Sequence, residues 1–263
     1  MPLTLTFLPD KFRSRLRFAY YYSSFKLQVL FGRVPVFVFQ MGKVGSSSVY
    51  LSLKKQYRGL VLHSHALPAE EGGNPMVDML YKYTIKKRRP IKVISLTREP
   101  IGRNISAFFQ NFEREVNVPV KSNSLGVGEL KKIFLEKFAH HSVLEWFDTN
   151  IRDKLGIDVY ATSLNPLGYN TYSTANCELL VLKMETCDKI MQQVISTFVD
   201  LPNFQLRKYN VGEDKDYSEL YTRFKEEVSL PPEYIDSLCQ SNYFNYFYDE
   251  QTYSRLRKRW LEP

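Results

Sequence analysis

The sequence predicts an α/β protein, a three-layer α/β/α arrangement around a central parallel sheet. Three observations lead there. Over its first 115 residues the chain alternates a short β-branched or aromatic run with a helical stretch three times, the order of parallel strands covered on both faces. The runs, VFVFQ, GLVLH and IKVISL, are apolar at consecutive rather than alternate positions, as doubly covered strands are. With 44% hydrophobic residues in 263, the chain can bury such a sheet within one domain.

Each element has its own reason. Val34–Gln40 is β-branched and aromatic between Gly32 and Gly42, a buried strand. Ser46–Gln56 places Val49, Leu51 and Leu53 among good helix formers. Residues 59–66, GLVLHSHA, form the second strand, and Pro75–Lys87 the next helix, with Met76, Met79, Leu80 and Tyr83 on one face. Ile91–Leu96 is the third strand, and Pro100 suits the first turn of the helix after it. Residues 117–128 read as loop and Leu130–Leu155 as mostly helix. Residues 177–186, CELLVLKMET, read as a further buried strand, and Asp188–Val199 as an amphipathic helix. A loop follows Pro202, then helices rich in Tyr and Phe run to the end. One domain over 1–263 is expected: an N-terminal helical extension (1–33), a core (34–116 and 177–215), a helical insert (117–176) and C-terminal helices (216–263).

The formal net charge is +8, which favours an anionic partner without choosing one. Cys177, Cys187 and Cys239 are odd in number and match no metal spacing, so a reducing, cytoplasmic compartment is expected. No run reaches the roughly 18–20 apolar residues of a spanning helix. Nor does the N-terminus have the order of a signal peptide. Residues 11–33 mix Arg13, Arg15, Arg17 and Lys26 with Phe and Tyr. They read first as a helix packed on the domain, and alternatively as peripheral membrane contact.

Two loops carry the chemistry. In VFVFQMGKVGSSSVYLSLKK (36–55) a strand ends in Gly42, Lys43, Gly45 and Ser46–Ser48 before a helix. Amides at such a helix start, approached closely through glycine, hold anions. The Walker order has Lys directly before Ser/Thr; here Lys43 comes first, and that magnesium-holding hydroxyl is missing. In LTREPIGRNISAFF (96–109) Arg98 ends a strand, and Ser106 follows on the next helix. A planar guanidinium there can grip a phosphate through two hydrogen bonds, and the hydroxyl adds a donor.

With these residues on the page, the chain resembles the sulfotransferase family. KxGSSS is similar to that family's 5′-phosphosulfate loop, with Ser for Thr and Gly42 for the usual proline. Arg98, Pro100, Arg103, Ser106 and Phe108 meet its RxPxxRxxSxF pattern. EWFDTNI and the Tyr-rich tail also look like bacterial capsular-polysaccharide synthesis proteins. The resemblance implies a P-loop NTPase-like sulfotransferase fold. It implies 3′-phosphoadenosine-5′-phosphosulfate (PAPS) as donor, adenosine 3′,5′-bisphosphate (PAP) as product, and no metal. Lys43, Gly45, Ser46, Ser47 and Ser48 would hold the 5′ end, with Lys43 also catalytic. Arg98 and Ser106 would hold the 3′-phosphate, and a basic loop with Arg207, Lys208 and Asn210 would close over the nucleotide. The insert over 117–176 would face the acceptor, a carbohydrate or other hydroxyl, on a polysaccharide or glycolipid.

A base is also needed. His63 and His65, two apart at the end of a strand, share a face near the sheet's C-terminal edge, and imidazole titrates near neutral pH. The HxH pair resembles that of uronyl 2-O-sulfotransferases. His65 is preferred because it is nearer the strand exit. Half a metal site and plain polar strand-end residues remain open, as do Glu70, Glu71 and Asp78 as carboxylate bases. His140 and His141 read as structural or surface residues. Lys183 and Glu185 read as braces more than ligands. Trp146 and the tyrosines read as core before sugar platforms. Two other functions fit less well. An atypical P-loop kinase lacks an evident acidic magnesium ligand. A non-catalytic polyanion binder explains the charge but not the loops, and no nucleic-acid motif occurs.

Overall fold

The computed structural model describes residues 10–68, 73–112, 125–209 and 218–262, with side chains from residue 15. It is a mixed α/β protein around a five-stranded sheet in the order β2-β1-β3-β5-β4. The strands are β1 (Val36–Phe39), β2 (Val61–Ser64), β3 (Ile91–Thr97), β4 (Tyr169–Ser173) and β5 (Cys177–Lys183). The first three and β5 are parallel, as expected of apolar runs buried on both faces; β1 is buried at all four positions.

One strand departs from the sequence reading. Tyr169–Ser173, within the stretch given to a helical insert, is antiparallel to β5 at the sheet edge. Its sequence, YNTYS, has no buried residue, so it carries none of the apolar signal by which the inner strands are read. Its side chains pair outward instead: Tyr172 Oη lies 2.7 Å from Tyr246 Oη and donates to the Val159 carbonyl at 2.9 Å.

The helices are α1 (Asp10–Phe31), α2 (Ser46–Gln56), α3 (Pro75–Leu80), α4 (Pro100–Gln110), α5 (Val127–Lys137), α6 (Asp188–Phe198), α7 (Ser218–Glu227), α8 (Pro232–Cys239), α9 (Asn242–Phe247) and α10 (Glu250–Leu261). Beyond α3 the helical path loosens into a π turn, Tyr81–Ile85, and the 130–155 region is likewise interrupted by 3-10 and π turns. Proline opens α3, α4 and α8, where its missing N–H costs nothing. Two aromatic clusters fill the space outside the sheet. Phe108, Phe109 and Phe112 of the α4 region meet Phe134, Tyr221 and Phe224. Phe147, Tyr160, Tyr243 and Phe247 meet near β4. Trp146 is core, 7% exposed and packed on Phe39.

This strand order positions the site. From β1 the chain crosses to β2 on one side; from β3 it goes on to β5 on the other. The C-terminal ends of β1 and β3 therefore flank the point where the winding reverses, the place where open α/β sheets bind ligands.

Candidate functional site

The turn after β1 is held in a strained shape. Lys43 (φ 72°) and Gly45 (φ 75°) both have left-handed backbone; among the described non-glycine residues only Arg88 and Asp200 share a positive φ with Lys43. Such a conformation costs a side-chain-bearing residue on the order of 1–3 kcal/mol, so surrounding contacts must impose it. Two guanidiniums do so. Arg98 Nη1 donates to the Lys43 carbonyl at 3.2 Å, and Arg103 Nε to the Gly42 carbonyl at 3.1 Å. Both come from the β3–α4 segment, so the second loop braces the first. Arg103 is largely desolvated, which lowers its pKa, and its Nη1 also donates to Asn104 Oδ1 at 3.1 Å.

The turn delivers the chain into α2 at Gly45, which caps the helix with no side chain. Ser48 N–H reaches back to the Gly45 carbonyl at 3.3 Å, and no side chain caps the amides ahead of it, which suit an outside acceptor. A Cβ at Gly45 would meet Met184 at 3.6 Å, so the apolar tip of Met184 covers one side of the cradle.

Three further props hold β3's exit. Tyr243 Oη donates to the Arg98 carbonyl at 2.8 Å, accepts from the Arg98 N–H at 3.3 Å, and bonds Thr97 Oγ1. Glu99 accepts the Gly102 N–H with both carboxylate oxygens, at 2.8 and 2.9 Å, capping α4. Burial raises its pKa to about 7, against the pull of Arg98 and that amide. Glu185 accepts the Glu99 N–H at 3.0 Å and the Tyr248 hydroxyl at 3.2 Å, so it braces. Lys183 lies over the Tyr248 ring, 4.7 Å from its centroid.

The two histidines come together beside this turn, their ring centroids 5.0 Å apart. They play different parts. His65, exposed, lies with Nδ1 2.9 Å from the Gln40 backbone carbonyl. A carbonyl only accepts, and at 2.9 Å it is nearer to Nδ1 than Gln40 Nε2 is, at 3.3 Å, so Nδ1 carries a proton and, in the neutral ring, Nε2 keeps the lone pair. That Nε2 faces the turn: a Cβ on Gly42 would stand 3.9 Å from it. His63 is inside, stacked on Tyr50, with Nε2 3.0 Å from Gln40 Nε2 and 3.1 Å from Ser46 Oγ. The amide nitrogen and the hydroxyl both donate to it. Burial, then the neighbouring His65 charge, lowers the His63 pKa to about 4. His63 is therefore a neutral, engaged acceptor, and His65 the accessible one.

Gln40 is the residue that sequence reasoning missed. It is fully buried, and its side-chain Oε1 has no hydrogen-bond partner within the protein. The available signal was a lone amide closing the apolar run VFVF.

The basic loop is laid along α2. Ser52 Oγ accepts the Arg207 N–H at 2.9 Å and donates to the Arg207 carbonyl at 3.4 Å. Ser48 does the same for Tyr209, at 3.0 and 3.3 Å, and Gln56 for Gln205, at 2.9 and 2.8 Å. Four helical residues advance about 6 Å and two extended residues about 6.7 Å, so one face of α2 matches every second peptide of an extended chain. Ser46 and Ser48 thus serve His63 and the loop, and Ser47 and Ser106 stay half-buried. Arg207 and Lys208 are both exposed, and Lys208 pairs with Asp188 at 2.9 Å. Asn210, Glu70 and Glu71 lie outside the described residues. His140 is structural: Nε2 donates to the Phe134 carbonyl at 2.8 Å and Nδ1 accepts from Tyr234 Oη at 3.0 Å. Among the described residues no group of three or more His, Cys, Asp or Glu side chains could hold a metal ion.

A separate groove of about 560 Å³ lies between β4 and α6, lined by Tyr169, Thr171, Ser173, Glu178, Gln193 and Phe198 among others. It shares no lining residue with the cradle, and its ion pair, Lys92–Glu178 at 2.9 Å, satisfies itself. The convergent donors and the accessible imidazole are at the cradle.

A family model described as "Putative capsular polysaccharide synthesis protein" matches residues 118–249, half of the chain. No curated protein matches.

Proposed function

Because the chain belongs to the family described as "Putative capsular polysaccharide synthesis protein", we propose that it modifies a saccharide, by moving a sulfuryl group from PAPS to a saccharide hydroxyl. The observation that carries this reading is the pairing of a helix start without a side-chain cap with an accessible imidazole nitrogen that faces Gly42 in the turn leading into that helix.

The residues fit the donor. An open amide row behind a left-handed glycine suits a 5′-phosphate, and the close approach at Gly45 leaves room for it. When bound, the donor supplies a sulfuryl group whose bond to the phosphate oxygen breaks as its bond to the acceptor oxygen forms, releasing PAP. Lys43 offers positive charge to that leaving oxygen. His65 Nε2 takes the acceptor's proton, and the Gln40 carbonyl, already bound to Nδ1–H, steadies the imidazolium that results. His63 is held neutral and occupied, so it orients Ser46 rather than taking the proton. Arg98 has one donor on the Lys43 carbonyl, and its remaining guanidinium donors are assigned to the 3′-phosphate.

Thermal melting tests donor binding. Adenosine 3′,5′-bisphosphate without magnesium should raise the melting temperature by roughly 5 °C at a hundredfold excess over Kd. Lys43→Ala and Arg98→Ala should each abolish most of that shift. A response to ATP with magnesium instead would point to a kinase, and a heparin effect lost in salt to a polyanion binder. Labelled sulfate transfer across saccharide acceptors tests chemistry. There His65→Ala should retain bisphosphate binding and lose turnover by on the order of 100-fold or more. Retained turnover would move the base elsewhere.

A further inference from the structure

Helix α1 is apolar on two opposite faces. The inner face docks it: Phe25 is buried, Tyr22 and Phe25 meet the Tyr83 ring, and Arg33 bonds the Asp200 carbonyl at 2.8 Å just past the helix end. Among the described residues the outer face has no such cover. Of the nine large hydrophobic residues exposed among the described residues, six lie on α1: Leu16, Phe18, Tyr20, Leu27, Leu30 and Phe31. At 100° per residue, five of them, all but Phe18, fall in one outward stripe about 100° wide. Leu30 and Phe31 are 73% and 79% exposed.

The charges around the stripe have one sign. Arg17 lies on one flank by the same arithmetic, and Arg15 and Lys26 on the other; all three are exposed. Residues 10–34 hold six Lys or Arg and one acidic residue, Asp10 at the start of the helix. A stripe of Leu, Phe and Tyr between rows of long cationic side chains matches a bilayer surface: the apolar groups enter the acyl boundary while the cations reach up to anionic headgroups. A second copy of the chain fits this face poorly, because stripe-to-stripe contact would press cations against cations. No described helix is long and apolar enough to cross a membrane, so α1 would lie on the surface.

We propose that the outer face of α1 docks the protein on anionic lipid bilayers, while its inner face holds the domain. The reading does not depend on the sulfuryl-transfer proposal.

Vesicle flotation of the full chain tests it. Vesicles of phosphatidylcholine with phosphatidylglycerol should retain the protein at least about tenfold better than phosphatidylcholine alone, and added salt should weaken the binding. Leu27→Glu with Leu30→Glu should lower retention about tenfold with an unchanged melting temperature, since both side chains are already in solvent. Leu16→Ser with Tyr20→Ser gives a second, milder pair on the same stripe. Equal retention on neutral and anionic vesicles, no retention on either, or stripe variants that float like the unaltered chain would overturn the proposal. So would a dimer in sedimentation that the stripe variants dissolve, which would assign the face to a second copy.

Discussion

At His63, folding selects a protonation state. In the unfolded chain the ring gains its proton below about pH 6.5; in the folded chain burial and the His65 charge hold that step down to about 4. Between these values the unfolded state binds more protons, so the contribution of a neutral His63 is intact above pH 6.5 and is lost as pH falls towards 4. The full shift is worth about 3 kcal/mol. Glu99 runs the other way, since burial raises its pKa to about 7: its contribution is full below the ordinary carboxylate range and is lost as pH rises through 7. The two slopes oppose each other, so the comparison must be with His63→Gln. Urea unfolding from pH 7 to 4.5 should show the unaltered chain losing more stability on acidification than the variant. Parallel profiles would mean that His63 is not the buried, neutral ring described. The residue types at this site were legible in the letters, but their partners were not. Arg98, Arg103 and His65 all bond backbone carbonyls, which no letter records.

Among the elements, α2 combines two roles. Its start is legible because Gly45 can take the left-handed turn at no cost and Ser46–Ser48 suit a first turn. Gly45→Ala should cost on the order of 1–2 kcal/mol of backbone strain, with little added crowding from Met184 at 3.6 Å. Its polar face was not legible: in the sequence Ser48 reads as a nucleotide contact, and Ser52 and Gln56 carry no role, but each replaces a strand neighbour for the 205–209 segment. Ser52→Ala should cost about 1–2 kcal/mol by leaving the Arg207 N–H unpaired. Combining it with Ser48→Ala should cost less than the sum, because the segment docks as a unit. Amide hydrogen exchange at Arg207 and Tyr209 should rise together in either variant; independent rises would argue for separate contacts. Edge strand β4 stayed illegible for the opposite reason: its polar letters earn their place through the Tyr172–Tyr246 contact, 74 residues apart.

Across the whole molecule, the family match and the loops divide the work. The matched region, 118–249, contains neither Lys43 nor Arg98, yet it supplies their props: Glu185, the docked segment at 205–209, and Tyr243. Tyr243 ties the C-terminal helices to the end of β3, so distant chain segments fix the cradle's shape. Tyr243→Phe should cost about 2–3 kcal/mol, because Thr97 Oγ1 and the Arg98 backbone lose a buried partner. It should also weaken bisphosphate binding several-fold at the cradle without removing any group that would touch the ligand. Calorimetric titration of the variant checks this; unchanged affinity would show that the cradle is set locally. The α/β class and the parallel inner strands were readable from apolar runs, but the strand order and this long-range tie were not.

The match between α2 and the 205–209 segment sets a stagger rule. Because the helix engages odd-numbered peptides only, lengthening the stretch before Gln205 by one residue would present the even-numbered ones in their place. A change of two would restore the pattern. Chain length ahead of Gln205 is therefore constrained in parity, whereas beyond Tyr209 this helix imposes no such condition.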